Sequence, residues 1–327
     1  GVSVTRLPSV KGWRGAFANR LSLAREVRCI ATDGPIDVLE APDFEGATAG
    51  LPRCSRLRVV RLHGSHRYFS DERGIRHSRS IGILEKLALQ KADALVSVSH
   101  YTARRTRTIF DLHREITTIH NAVSIVGTYP IKFDYRARQR VVYFGTLAEK
   151  KGVLVLAEAW QHFHESHPNW RLSLFGRDAQ HAGRSVKEMM IDLLGPAIES
   201  VEFIGYLPGD EVLTRLANFD FVILPSFSES FGLATLEAMA LGMPVIFSVL
   251  SSGPELIKHG IDGWLCDPRS IQSVEASLTL AAGSADARER VGQAARSTVD
   301  RRFSYEAFVD QNIAFYRSQL AKRGLHP

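Results

Sequence analysis

Cysteine is scarce in this sequence, and long apolar runs are absent. The three cysteines, Cys29, Cys54 and Cys266, are scattered and lack the spacing of metal ligands, which argues against a disulfide framework and favours a reducing compartment. No apolar run approaches the roughly 18 residues that a membrane-spanning helix needs. The first residues lack the basic and apolar regions of a signal peptide. We therefore expect a cytoplasmic protein that does not span the membrane.

Several motifs are also missing. No strand pattern is followed by a G-x-G-x-x-G turn and a helix, which argues against a nicotinamide-dependent oxidoreductase. No nucleic-acid recognition motif occurs, and no period of 20–50 residues indicates a solenoid. Apolar residues make up 45% and charged residues 23% of the chain, which excludes a disordered or collagen-like protein. The length of 327 residues predicts about two domains.

Positive charge is concentrated in the first third of the chain. Residues 1–120 hold 20 Lys and Arg against 12 Asp and Glu, whereas the remaining residues hold 21 against 23. This asymmetry indicates that the first third faces an anionic partner: a membrane surface, a phosphorylated substrate or nucleic acid. A solvated, arginine-rich surface explains the same pattern.

Short apolar segments alternate with helical patterns along the whole chain. This alternation is typical of parallel sheets covered by helices, so we expect an α/β protein made of two doubly wound, Rossmann-like domains. The polar stretch 121–140 indicates a boundary and a hinge near residue 125, which divides the chain into residues 1–125 and 126–304. The predicted strands are 36–40, 57–62, 94–98, 116–119, 141–144, 172–175, 201–204, 221–224 and 244–247.

The first domain lacks one expected feature. A phosphate-binding domain of this type usually opens with a strand and a glycine-rich turn, but this sequence opens with residues 2–5 as its only strand candidate. We therefore expect the first domain to be incomplete at its amino terminus and its sheet to have an unpaired position.

Residues 224–245, LPSFSESFGLATLEAMALGMPV, carry the most specific chemical signal. A predicted strand runs into a loop, Gly232 stands where a helix begins, and a later glycine and proline end that helix. Ligands bind beyond the carboxyl ends of strands in an open parallel sheet, and the free amides of a helix start bind phosphate. Glu229 in the loop and Glu237 on the helix are then placed near sugar hydroxyls. A surface ion pair is the alternative role for Glu237.

The E-x7-E arrangement of Glu229 and Glu237 resembles the signature of retaining glycosyltransferases of family 4, which have the GT-B fold. The resemblance covers nearly the whole chain. It implies two Rossmann-like domains facing a cleft, with a helix at 305–327 that packs back on the first domain. Further matching segments are YFGTLAEKKG at 143–152, IHNAV at 119–123, GPELIKHGIDGWL at 253–265, VRLHG at 60–64 and ADALVSV at 92–98.

The resemblance also implies roles for individual residues. Glu237 would bind the nucleotide ribose, and Glu229 would be a catalytic residue beside the donor sugar. Lys151 would bind the diphosphate without a metal ion, because the leaving group gains negative charge as the bond breaks. The donor-binding residues implied in this way are Gly145, Thr146, Lys150, Lys151, Phe231, Gly232, Leu233 and Glu237.

The sequence departs from the family pattern at one position. Thr146 stands where the family usually has an arginine, directly after Gly145. Lys150 is a candidate substitute for this cation, and an exposed lysine without such a role is an equal alternative.

Three residues of the first domain are further candidates. His63 matches a family histidine credited with shaping the pocket beside the transferred sugar, which makes it a candidate catalytic residue; a purely structural histidine is the alternative. Asp43 and Glu45 follow a predicted strand and are candidate acceptor contacts. A turn with a capping carboxylate explains these two nearly as well.

The sequence thus predicts an enzyme that transfers a sugar, with retention, from a nucleoside-diphosphate sugar to a saccharide or lipid-linked acceptor. The resemblance implies cell-surface polysaccharide or glycolipid synthesis, no cofactor or metal, no nucleic acid, and peripheral contact with the anionic inner face of the membrane. The alternative is a degenerate or truncated family member that serves as a non-catalytic binding or scaffold subunit.

Overall fold

The computed structural model describes residues 2–10, 12–72, 74–123, 135 and 138–325. The chain divides into two units: unit 1 comprises residues 1–119 and 309–327, and unit 2 comprises residues 120–308. The boundary and hinge predicted near residue 125 lie outside the described residues.

Unit 1 contains a parallel sheet whose described strands follow the chain order β1-β2-β3-β4. Its strands are β1 (Ile36–Pro42), β2 (Ser55–Leu62), β3 (Ala94–Ser97) and β4 (Thr117–Thr118). Its first helices are α1 (Trp13–Asp33), α2 (His66–Glu72), α3 (Arg79–Lys91) and α4 (His100–Phe110). All of β3 and most of β2 are buried, as expected for strands covered on both faces. Within the described part of the chain, β1 pairs with β2 alone.

The prediction of a strand at residues 2–5 is wrong. No strand is present there, and Val2 and Val4 are 92% and 88% exposed. A β-strand needs a half-buried, pleated surface against which its side chains pack, and these side chains have none. The long helix α1 follows instead.

The sheet of unit 2 contains six parallel strands in the order β12-β11-β10-β5-β6-β9. Its strands are β5 (Arg140–Phe144), β6 (Arg171–Phe175), β9 (Val201–Gly205), β10 (Phe221–Leu224), β11 (Val245–Ser248) and β12 (Trp264–Cys266), and β7 (Gln180–His181) pairs separately with β8 (Arg184–Ser185). Because β6 lies on one side of β5 and β10 on the other, the strand order reverses at β5. Ligands bind at such a switch point in open α/β sheets.

The described helices of unit 2 alternate with these strands. They are α5 (Val153–Ser166), α6 (Val186–Leu194), α7 (Gly209–Arg215), α8 (Leu233–Ala240), α9 (Gly253–Leu256), α10 (Ile271–Ala282) and α11 (Ala285–Arg302). Within the described ranges, no helix of the protein has the length and apolarity needed to cross a membrane.

The last helix, α12 (Tyr305–Ala321), begins in unit 2 and continues in unit 1. In unit 1, the buried guanidinium of Arg61 on β2 donates to Asn312 and Tyr316 of α12. Arg61 also forms a two-point ion pair with Glu40 of β1 at 2.7 and 3.1 Å. These contacts fix the carboxyl-terminal half of α12 against the sheet of unit 1.

Candidate active site

Two loops of unit 2 meet at the switch point, one after β5 and one after β10. The amide of Phe227 donates to the carbonyl of Lys150 at 2.9 Å. Gly152 has a φ of +72°, and a Cβ atom there would lie only 1.9 Å from the carbonyl oxygen of Pro225. Glycine is therefore required for the two backbones to approach, and the two loops form one continuous surface.

Lys151 and Glu229 form an ion pair between these loops. Their side chains are only 26% and 20% exposed, so solvent screens the pair less than a surface salt bridge. The hydroxyl of Ser226 donates to the same carboxylate oxygen at 3.2 Å, and the amide of Glu229 donates to the hydroxyl of Ser251 at 3.3 Å. The structure thus brings two of the predicted site residues into contact.

Helix α8 begins directly after Gly232, whose φ of 96° lies in the left-handed region. No side chain caps this helix start, so the first amides, including that of Leu233, are available to an anion. A Cβ atom on Gly232 would lie 2.9 Å from the ring of Phe247. Phe231 is buried and stacks on His120 at 5.6 Å between ring centroids, so only its backbone is available to a ligand.

Glu237 lies one turn into α8 and is half-buried. Burial raises the pKa of its carboxyl group. Among the described residues no side chain pairs with this carboxylate, so the surface ion pair considered from the sequence is not formed. A carboxylate in this environment is stabilised when a ligand hydroxyl donates to it.

A cavity of about 530 Å³ lies at the carboxyl ends of β5, β6 and β9. Of the predicted donor-binding residues, Gly145 and Thr146 line it. Beneath them, the hydroxyl of buried Tyr143 donates to the carbonyl of Thr146 at 2.8 Å. Burial first, and the charge of Glu229 second, raise the pKa of Tyr143. Lys150 is half-buried rather than fully exposed.

Asp43 in unit 1 is fully buried and holds the loop that follows β2. Its carboxylate accepts hydrogen bonds from the amides of His63 and Gly64 at 3.0 and 3.2 Å. Burial raises the pKa of Asp43 to about 7, although these two amides lower it. The structure therefore does not present Asp43 to an acceptor, in contrast to the contact expected from the sequence.

Glu85 on α3 has a related role that was not predicted from the sequence. It is fully buried, and its carboxylate accepts hydrogen bonds from the amides of Glu45, His66 and Arg67 at 3.0, 2.7 and 3.1 Å. Its charge also contributes to the raised pKa of Asp43. One feature of the sequence is consistent with this buried position. Gly82 and Ala88 lie about one turn before and after Glu85, and such small residues permit a helix face to pack closely.

His63 and Glu45 are the exposed candidates of unit 1. Partial desolvation, followed by the positive charge of Arg61, lowers the pKa of His63, whereas Glu40 raises it. These surroundings therefore favour the neutral form of the imidazole. Glu45 has a φ of 54° and is fixed through its backbone amide, so its side chain is free to point into solvent.

Two family models match the chain. The model described as "Glycosyl transferases group 1" matches residues 133–298, and the model described as "Glycosyltransferase Family 4" matches residues 2–125. Glycogen synthase of Mycobacterium tuberculosis is 26% identical over 256 residues, covering 76% of this chain and 59% of that protein. The chain spans about half to two-thirds of the length of the curated relatives that match it first.

Solved structures show the same fold. Sucrose-phosphate synthase from Thermosynechococcus elongatus superimposes with a TM-score of 0.77 and 19% identity, covering 96% of this chain and 81% of that protein. Anabaena HepE, solved in complex with UDP, gives a TM-score of 0.72 and 20% identity over 93% of this chain and 83% of that protein. The predicted fold class, GT-B with parallel-sheet α/β units, is confirmed.

Proposed function

The chain belongs to the glycosyl transferases group 1 family and is a glycosyltransferase, and we propose that it transfers a sugar, with retention of anomeric configuration, from a nucleoside-diphosphate sugar to an acceptor hydroxyl. The observation that carries this proposal is the arrangement at the switch point of unit 2. There, Lys151 and Glu229 pair on adjacent loops, and the uncapped start of α8 follows Glu229 by a few residues.

The charge at this site suits a nucleoside-diphosphate leaving group. As the bond to the sugar breaks, the diphosphate gains negative charge, and a fixed cation together with oriented helix amides stabilises that charge. We assign these roles to Lys151 and to the amides of Gly232 and Leu233. The reaction proposed here needs no metal ion.

The carboxylates have separate roles. We propose that Glu229 contacts the donor sugar near the reacting carbon and that Glu237 accepts hydrogen bonds from the ribose. The transition state of glycosyl transfer is oxocarbenium-like and carries positive charge, which the carboxylate of Glu229 stabilises.

The acceptor is proposed to be a saccharide or a lipid-linked saccharide in cell-surface polysaccharide or glycolipid synthesis. The relative named glycogen synthase supports a saccharide acceptor, and the complex of HepE with UDP supports a nucleoside-diphosphate donor. The basic excess of the first third, the exposed Arg76 before α3 and the exposed Arg79 at the start of α3 support peripheral contact with an anionic membrane on the cytoplasmic side.

Calorimetric titration with UDP, GDP and ADP, followed by transfer assays with the corresponding sugars, tests the proposal. At least one diphosphate should bind, and Lys151→Ala should lower its affinity by about tenfold to a hundredfold, because a charge-assisted contact is lost. Lys258→Ala, which changes an exposed lysine of the same unit, should leave affinity unchanged. NMR of the product should show the anomeric configuration of the donor.

Two results would contradict the proposal in different ways. If none of the three diphosphates binds, the donor site is wrongly assigned. If a diphosphate binds but no sugar is transferred to any saccharide or lipid-linked acceptor, the non-catalytic binding role is correct. Thr146, in place of the expected arginine, is the observation that favours this second role.

A further inference from the structure

Arg177 lies directly opposite Thr146 across two adjacent strand ends. Phe144 pairs with Phe175 in the parallel ladder of β5 and β6, and the same offset continues beyond the strands, where Leu147 bridges Asp178. The amide of Leu147 donates to the carbonyl of Arg177 at 2.8 Å. This register places residues 146 and 177 side by side, and both line the cavity of about 530 Å³.

The guanidinium of Arg177 is held in place by an aromatic ring. It lies 4.1 Å from the ring centroid of Tyr206, which also lines the cavity and is 59% exposed. No carboxylate of the described residues lies within ion-pair distance of Arg177. A guanidinium stacked on its face keeps its N–H edge available, and this edge matches the oxygen atoms of a phosphate in a two-point contact.

The charge balance of the site indicates what this edge binds. Lys151 is already paired with Glu229, so these two side chains together bring little net positive charge to a diphosphate. The same loop that carries Lys151 begins at Gly145 and Thr146, which places the cavity beside it. An arginine at the end of β6 that lines this cavity supplies the positive charge that the ion pair lacks.

We propose that Arg177 is a diphosphate-binding residue of the donor site, which supplies from the end of β6 a cation that position 146 does not carry. This proposal rests on the proposed function, since it requires a nucleoside-diphosphate donor. It assigns to Arg177 a contact with phosphate rather than with the base, and it predicts that a chain with Thr146 binds its donor through this arginine.

Four proteins test this role: the wild type, Arg177→Ala, the double variant Arg177→Ala with Thr146→Arg, and Arg171→Ala. Arg171 is an exposed arginine at the opposite end of β6 and serves as the control. Affinities for UDP, GDP and ADP are measured by calorimetry, with thermal unfolding as a check on folding. Arg177→Ala should weaken binding of every diphosphate by about tenfold to a hundredfold without changing their ranking.

The double variant distinguishes a phosphate contact from a base contact and from a purely structural role of Arg177. An arginine introduced at position 146 should recover most of the lost affinity, because it reaches the same cavity from the neighbouring strand. Unchanged affinity of Arg177→Ala, a changed ranking of the three bases, or failure of the double variant to recover affinity would overturn the proposal while the proposed function stands. Absence of binding in the wild type would overturn the proposed function itself.

Discussion

The ammonium group of Lys151 is paired with the carboxylate of Glu229 at the point where the strand order of unit 2 reverses. Glu229 thus neutralises the cation that we assign to the diphosphate, and it also places a negative charge near an anionic ligand. The pair therefore fixes both side chains and weakens the field that the diphosphate experiences.

Glu229→Gln should consequently affect binding and transfer in opposite directions. Affinity for a nucleoside diphosphate should rise by about threefold to tenfold, because Lys151 loses its competing partner. Sugar transfer should fall by about a hundredfold or more, because the carboxylate no longer stabilises the transition state. Calorimetry and single-turnover assays of the same preparation measure both. Weaker diphosphate binding by this variant would show that Glu229 does not oppose the ligand.

Glu237→Gln should stabilise the protein and weaken donor binding. Because burial raises the pKa of Glu237, the ionised carboxylate is disfavoured in the folded state and reduces stability at neutral pH. The variant should unfold at a higher temperature at pH 7, and this difference should vanish below the ordinary pKa of a glutamate. Diphosphate affinity should fall by about threefold to tenfold as the ribose contact weakens. A variant with lowered stability and unchanged affinity would contradict both roles.

Asp43 should make unit 1 less stable as the pH rises. The unfolded chain releases the Asp43 proton near pH 4, whereas the folded chain retains it until about pH 7. Stability should therefore fall across this range, by at most about 4 kcal/mol. Asp43→Asn should remove this part of the slope in urea unfolding measured between pH 4 and pH 8. Asp37→Asn, at an exposed position of β1, should retain it.

Gly152→Ala should separate the two loops of the donor site. The added methyl group would overlap the carbonyl of Pro225, and the positive φ is strained for alanine. We expect a loss of about 2 kcal/mol or more in the free energy of unfolding, together with loss of diphosphate binding. Gly283→Ala is the control, because Gly283 ends α10 with a φ of −65° and has ordinary contacts. Equal behaviour of the two variants would show that the close approach is unimportant.

Removal of divalent metal should leave the reaction unchanged. We assign charge stabilisation to Lys151, Arg177 and the start of α8, so treatment with EDTA should not alter the initial rate of sugar transfer. The rate is measured before and after dialysis against the chelator, with and without added Mg²⁺ or Mn²⁺. A rate that is lost on dialysis and recovered with either ion would contradict this assignment.

The parts of the site that were predictable from sequence are those defined within one short segment. Gly232 and Glu237 follow a strand at fixed spacing, so a strand–loop–helix pattern places both without knowledge of the rest of the fold. The predicted strands at 141–144, 172–175 and 221–224 also match β5, β6 and β10 closely. Their apolar runs are buried on both faces, which makes them recognisable.

Residues whose roles depend on other segments could not be predicted in this way. Glu85 acts on amides of two loops that are distant along the chain, and no local pattern indicates that contact. The helix that carries it leaves two large apolar side chains, Ile83 and Leu87, 60% and 36% exposed, so its apolar residues do not identify the buried face. The buried face carries Gly82, Ala88 and Leu89 around Glu85. The turn after β1 approaches this helix through Gly46, where a Cβ atom would lie 2.4 Å from the backbone of Leu84.

The strand order of unit 2 also has a consequence for how the protein folds. The donor loops follow β5 and β10, which pair directly although Val141 and Phe221 lie far apart in the chain. Closing so long a segment costs conformational entropy before any contact compensates for it, and folds with many such contacts form slowly. Because the chain is synthesised from its amino terminus, the loop with Lys151 is also made well before the loop with Glu229. The donor site can thus form only after β10 has been synthesised, when β6 and β9 are already present to extend the sheet.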